Sequence, residues 1–267
     1  MSPGPWKAAL DAPIFAALRP SLSRLSSGDF PRHEELNALA HASVVSGGGA
    51  AIRFVPPVPV KEPAARYEVR IFETGEVQTR PGNWHDLFNA LVWLAFPETK
   101  AILNRRHRDE IAVGRGGPNR GTARDVLTLF DEGGVVVAAA SAELSELLQA
   151  FRWKDLFWTR REEVRRSMRF YVLGHAIYEK ALAPHKGVTA KALVVDVAQA
   201  LLDAPMERQL AEVDARAAAH FSAPRSLAST RSLAPLPILG VPGWEPANER
   251  EEYYDDASQF RPGRAGV

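Results

Sequence analysis

The sequence contains no cysteine, so no disulfide, thiolate nucleophile or thiolate-held metal is open to it. A cysteine-free chain suits a reducing compartment, and it is expected to be cytoplasmic. Long apolar runs are also missing. The longest in the centre, residues 90–96, is far too short to span a bilayer, so no membrane partner is expected. Residues 12–18 are mildly apolar but contain Pro13 and follow a single lysine, Lys7, which argues against a leader peptide. An excess of one charge is absent too: 33 Lys and Arg against 32 Asp and Glu leave a net charge of +1. Without a global cationic field, nucleic acid is not an expected partner. No HExxH, Walker A spacing or G-x-S-x-G occurs, and the corresponding chemistries lose their usual signatures. The glycine-rich residues 114–121 are read as a surface loop, able to act as a lid carrying Arg115, Arg120 and Arg124.

What is present centres on residues 83–104, NWHDLFNALVWLAFPETKAILN. A helix there carries Leu87, Ala90, Leu91 and Leu94 on one face and Phe88, Val92 and Ala95 on another. Two apolar faces predict burial on most sides. Asn83 is placed to cap it, and Pro97 to end or kink it, with a second helix over residues 98–107. A helix is also expected over 31–42. Strands are expected at 52–55, 67–72 and 77–80, and a hairpin joins 126–130 to 135–138 through DEGG. Ser141 caps a helix to about 151, and a long helix follows over 159–182. Further helices are read over 189–202 and to residue 221. From residue 224 the chain reads as an extended segment anchored by Trp244, Tyr253, Tyr254 and Phe260. The expected fold class is α+β: a mainly helical single domain with a small antiparallel sheet and an irregular C-terminal wrap. Residues 1–60 form the periphery, 67–223 the core and 224–267 the wrap.

Ionisable groups inside apolar helices must find partners or face a cleft. His85 and Asn89 stand four apart, hence on one helix face, and His175 and Glu179 repeat that spacing. A histidine and a carboxylate so placed can share one divalent metal or form an oriented acid–base pair. The candidate catalytic residues are therefore His85, Asp86, His175 and Glu179. His175 and Glu179 are the candidate metal ligands, one divalent metal being the cofactor this spacing allows. Asn89, Arg120, Arg124 and Asp131 are the candidate substrate contacts. Plainer roles compete: Asp86 stabilising a helix dipole, Asp131 shaping a turn, His107 exposed in a basic tail. Two classes of function follow. One is a hydrolase or phosphoryl-group enzyme with a His/carboxylate site. The other is a non-catalytic binding protein whose polar residues satisfy an aromatic core.

The blocks WHDLFNALVWLAFPETKAILNRRH, LTLFDEGGVVV, FRWKDLFW, GHAIYEKAL and PLPILGVPGW, with YYDD and FRP after them, resemble the bacterial family DUF3025. The resemblance runs from about residue 67 to 262, and the combination is specific where no single block is. It implies a soluble proteobacterial protein. The family carries no established activity, so the resemblance marks Trp84, His85, Asp86, Asn89, Asp131, His175 and Glu179 as motif positions without assigning them roles.

Overall fold

The computed structural model describes residues 7, 10–26, 29–58, 64–115 and 121–263. In chain order the main elements are α1 (His33–Leu39), β1 (Arg53–Val55), α2 (Ala64–Thr74), β2 (Glu76–Gln78), α3 (Trp84–Ala95), α4 (Pro97–Glu110) and α5 (Thr122–Gly133). There follow β3 (Gly134–Ala139), α6 (Ala142–Gln149), α7 (Arg161–Ser167), β4 (Met168–Val172), α8 (His175–Ala181), β5 (Thr189–Asp196), α9 (Met206–Ser222) and β6 (Ala234–Pro237). The fold is mostly helical, with a small sheet and a C-terminal region of short turns. The main sheet has the order β4-β3-β5-β6. It is mixed: β3 runs antiparallel to β4 and parallel to β5, while β6 is antiparallel to β5. β3 is buried at every position, which explains its unbroken GVVVAA run in place of an alternating one. One cluster of buried apolar side chains extends from Leu10 to Phe260.

Several expected elements change type. Residues 67–72 belong to α2 and residues 126–130 to α5; both alternate in sequence, yet each also has a helical stripe. In α5 the buried Val126, Leu127 and Phe130 turn inward, and that burial outweighs the β preference of VLTLF. The long helix over 159–182 is instead α7, β4 and α8 in succession. MRFYV is drawn into the sheet by pairing with β3, Val135 opposite Val172 through Ala139 opposite Met168. Likewise TAKALVVD at 189–196 pairs with both β3 and β6 as a strand. Cross-strand burial decides these segments over local helix propensity.

The local signals around α3 behave as the sequence suggests. The Asn83 side chain accepts from the Asp86 amide at 3.0 Å, and Phe96 breaks the helix before Pro97 opens α4. The start of α4 has a further cap from a distant helix. The Asp214 carboxylate on α9 accepts from the amides of Glu98 and Thr99, both at 2.8 Å. This satisfies two of the donors that a helix start leaves open. Among the described residues no helix is long and apolar enough to cross a membrane.

Candidate metal centre

Two chain corners bring the site together. α5 passes directly into β3 at Gly133–Gly134, and β4 passes into α8 at Leu173–Gly174. The Gly134 carbonyl accepts from the amides of both Leu173 (3.0 Å) and Gly174 (2.8 Å). A Cβ on Gly174 would lie 2.5 Å from the Gly134 nitrogen and 2.6 Å from the Glu132 main-chain carbonyl oxygen. Only glycine lets the two corners close this tightly. Glu132, at the end of one corner, thus meets His175, at the start of the other. α8 packs against α3, which supplies His85.

The His85 and His175 rings stand nearly perpendicular, with Nε2 facing Nε2 at 3.1 Å. Glu132 Oε2 is 3.4 Å from His175 Nε2. Ligand atoms of the three residues all lie within 4.8 Å of one another. Two nitrogens bound to one zinc at tetrahedral angles sit roughly 3.3 Å apart, so this spacing fits a shared ion. His85, Glu132 and His175 can hold a divalent metal.

The outer contacts orient these ligands. His85 Nδ1 is 3.0 Å from Glu179 Oε2, and this contact turns the His85 Nε2 lone pair inward when Nδ1 carries the proton. His175 Nδ1 lies 4.0 Å from Asp131 Oδ2. Burial drives the His175 pKa down to about 4, with Asp131 opposing and Lys100 and His85 assisting. The ring is therefore neutral near pH 7, the state in which its nitrogen is a ligand. Burial, helped by the Asp131 charge, raises the Glu132 pKa.

Beside this cluster sits a buried ammonium. Lys100 Nζ donates to Asp131 Oδ1 at 2.5 Å and to Asn89 Oδ1 at 3.0 Å, and lies 5.3 Å from the Trp93 ring centre. Burial opposes the Asp131 carboxylate, but Lys100, His175 and His107 outweigh it and lower its pKa. Asn89 Nδ2 reaches the Tyr67 hydroxyl at 3.4 Å.

Apart from Glu179, these groups border a cleft of about 640 Å³ lined by α2, α3, α4, α5 and the start of α8. Each helix contributes one stripe: Tyr67 and Ile71 from α2, His85 and Asn89 from α3, Lys100 and His107 from α4, Arg124, Thr128 and Glu132 from α5. These spacings of three or four residues, or sums of them, place each set on one helix face.

The sequence-derived candidates separate into groups. His85 and His175 meet. Glu179 contacts His85, outside the three-residue cluster that the structure groups as a metal site. Asp86 lines the cleft, yet its carboxylate is taken up by Arg80, through the Arg80 amide and Nε at 2.8 Å and a terminal nitrogen at 2.9 Å. Burial opposes that carboxylate and the Arg80 bonds prevail, lowering its pKa. Asn89, Arg124 and Asp131 line the cleft, whereas Arg120 lies outside the described residues. Glu132, Lys100 and His107 also line the cleft and were not singled out as site candidates in the sequence. Glu132 follows Asp131 in FDEGG and reads as a turn. Lys100 carries a helical signal, four residues before Asn104 and seven before His107. His107 is buried, not exposed in a basic tail, because α4 continues through to Glu110.

The model of the family described as "Protein of unknown function (DUF3025)" matches residues 52–264, and the chain belongs to that family. No curated protein and no solved structure matches the chain.

Proposed function

We propose that this protein is a metal-dependent hydrolase, with His85, His175 and Glu132 as the ligands of one divalent ion. The observation that carries the reading is the pair of opposed Nε2 atoms at 3.1 Å. With Glu179 at its Nδ1, His85 presents its Nε2 lone pair inward, and His175, whose buried Nδ1 has no hydrogen-bond partner among the described residues, presents a second one whenever that Nδ1 carries the proton. Two lone pairs at that distance repel unless a cation or a proton lies between them. The Glu132 carboxylate beside them favours the cation. Two histidines and one carboxylate, with positions left open, form the donor set of catalytic zinc and of non-haem iron. A divalent ion so held lowers the pKa of a bound water and polarises a carbonyl or phosphoryl oxygen.

The remaining residues supply the rest of a hydrolytic site. Lys100 is held by Asp131 and Asn89 and offers a fixed positive charge to an oxyanion. Asp131 lies between that ammonium and His175 and holds both in place. Glu179 fixes the His85 tautomer. The enclosing helices supply a cleft large enough for a small organic substrate.

Elemental mass spectrometry of the purified chain, with His85→Ala and His175→Ala alongside, tests this reading. The expected result is about one equivalent of zinc or manganese in the wild type, lost in both folded variants. Hydrolysis of chromogenic ester and phosphate-ester substrates is then lost with it. Iron in place of zinc or manganese would redirect the chemistry to oxygen activation. No metal after reconstitution, with both variants folded, overturns the metal reading and leaves a histidine–carboxylate acid–base site or a non-catalytic binding protein.

A further inference from the structure

One hydrogen-bond chain in the cleft ends on a proton with nowhere to go. Lys100 Nζ is only a donor, so the Asn89 oxygen faces it, at 3.0 Å, and the Asn89 Nδ2 group faces the other way. Nδ2 donates to the Tyr67 hydroxyl at 3.4 Å. The Tyr67 oxygen therefore accepts, and its own proton turns elsewhere. Among the described residues that proton has no acceptor. Tyr67 lines the cleft. Burial raises its pKa, and the charges of Glu68, Asp131 and Asp86 raise it further; those three residues line the same cleft. The phenol is thus set among cleft groups and keeps its proton at neutral pH. Its place on α2 is fixed from α4: Asn104 Nδ2 donates to the Glu68 carbonyl at 2.9 Å and to the Glu68 carboxylate at 3.0 Å, next to Tyr67 in the chain. Asn89 lies four residues beyond His85, about 6 Å along α3, so the hydroxyl is held beside the residue one helical turn from a metal ligand.

We propose that the Tyr67 hydroxyl donates a hydrogen bond to an uncharged carbonyl oxygen of the substrate, which makes that substrate a carboxylic ester or amide and not a phosphate ester. The reaction rests on the metal-dependent hydrolase reading, whereas the donor rests on the hydrogen-bond chain alone. A buried O–H without an acceptor forfeits a bond that a ligand can restore. Asn89 already occupies the accepting side of the phenol, so what remains for a ligand is the proton. A carbonyl oxygen accepts and brings no proton of its own. The carboxylate charges that hold the proton on Tyr67 also oppose an anionic group placed there. A neutral carbonyl avoids that repulsion and gains negative charge only under attack.

Three phenyl compounds of nearly one shape test this: acetophenone carries a neutral carbonyl, benzoate a carboxylate and α-methylstyrene no oxygen. Each is titrated by calorimetry into the full chain as purified and into Tyr67→Phe. Acetophenone should bind the wild type at least about tenfold more tightly than α-methylstyrene. Tyr67→Phe should remove most of that difference, change benzoate affinity by less than about twofold, and leave metal content as in the wild type. If Tyr67→Phe does not fold, the wild-type comparison of acetophenone with α-methylstyrene decides alone. The donor is overturned if acetophenone binds no better than α-methylstyrene, if Tyr67→Phe binds acetophenone as the wild type does, or if the substitution weakens benzoate more than acetophenone. The metal-centre reading fails on metal content instead: a wild type without metal whose acetophenone affinity still falls in Tyr67→Phe keeps the donor and loses the metal.

Discussion

Two regions of this molecule bury charged side chains and use them in opposite ways. In the C-terminal strap, Arg161 donates to the Asn248 carbonyl at 3.0 Å, its side-chain oxygen at 3.1 Å and the Tyr254 hydroxyl at 3.2 Å, and it pairs with Glu249. Asn248 is fully buried and donates to the carbonyls of Leu239 and Val241, both at 2.8 Å. Main-chain carbonyls of an irregular segment are satisfied there by side chains, as a strand partner would otherwise do. In the cleft, ionisable groups meet one another instead: His85 with His175, Lys100 with Asp131, His175 with Glu132. They also face open volume. Buried charge that satisfies the main chain serves the fold, while buried charge collected around a cavity points to chemistry.

The difference can be broken most forcefully from the strap. Arg161→Met removes charge-assisted bonds to Asn248 and Tyr254 and leaves their oxygens buried. A loss of about 3 kcal/mol is expected, lowering the melting temperature by roughly 6–12 °C for a chain of this size. Calorimetry measures the shift. Metal content at 20 °C should equal that of the wild type; a variant that melts normally but loses metal would show the two regions to be one network.

The converse change is made in the cleft. His175→Ala should lower metal affinity by at least about 100-fold, since it removes one of three ligands. Metal at 100 times its dissociation constant stabilises a folded protein by about 2.7 kcal/mol. Adding chelator should therefore lower the wild-type melting temperature and leave the variant where it is. Equal chelator shifts in both would place the metal elsewhere. A milder cut falls on Glu179, which touches a ligand without belonging to the cluster. Glu179→Gln should weaken metal binding by roughly 10–100-fold and leave stability within about 0.5 kcal/mol, because that carboxylate is half exposed. An unchanged affinity by competitive titration would remove the orienting role.

How much of this was legible beforehand differs between the same two regions. The Asn83 cap, the buried α3 and the His85 and His175 positions follow from local rules: a capping residue, a period of 3.6, polar residues at i and i+4 within apolar runs. The aromatic anchoring of the strap was also legible: Tyr254 and Phe260 are buried. Glu132 was not, because its role depends on a corner where Gly174 presses on residues 132–134, a contact between segments some forty residues apart. For the same reason β4 and β5 read as helix. Their strand character comes from pairing with β3, and no window along either segment contains that partner. Asn248 shows the limit within the strap, since a lone asparagine in an irregular segment carries no periodicity to mark it.

The net pH dependence of the wild type, small because two contributions oppose, tests whether the fold's own charges stay out of the cleft's titration. Asp214 caps α4, the helix that carries Lys100 and His107. Burial raises its pKa to about 6, outweighing the bonds from Thr99 and Glu98. The folded state then holds a proton that the unfolded chain has released between about pH 4 and 6. Asp214 therefore contributes stability that is complete below about pH 4 and is lost as pH rises through about 6. In the metal-free protein His175 acts with the opposite sign. Its pKa is lowered by burial to about 4, so the unfolded chain binds the extra proton. Its contribution is present above about pH 6.5 and is lost as pH falls toward 4. The two slopes oppose each other in one window, and the wild type should look nearly flat, with each contribution on the order of 1–3 kcal/mol. Urea unfolding at pH 4.5, 5.5 and 6.5 separates them. Asp214→Asn should leave stability climbing with pH, and His175→Ala should leave it falling. If Asp214→Asn runs parallel to the wild type, the cap on α4 does not titrate in this range, and the acid sensitivity of the metal-free chain comes from groups whose pKa burial lowers, His175 and His220 among them.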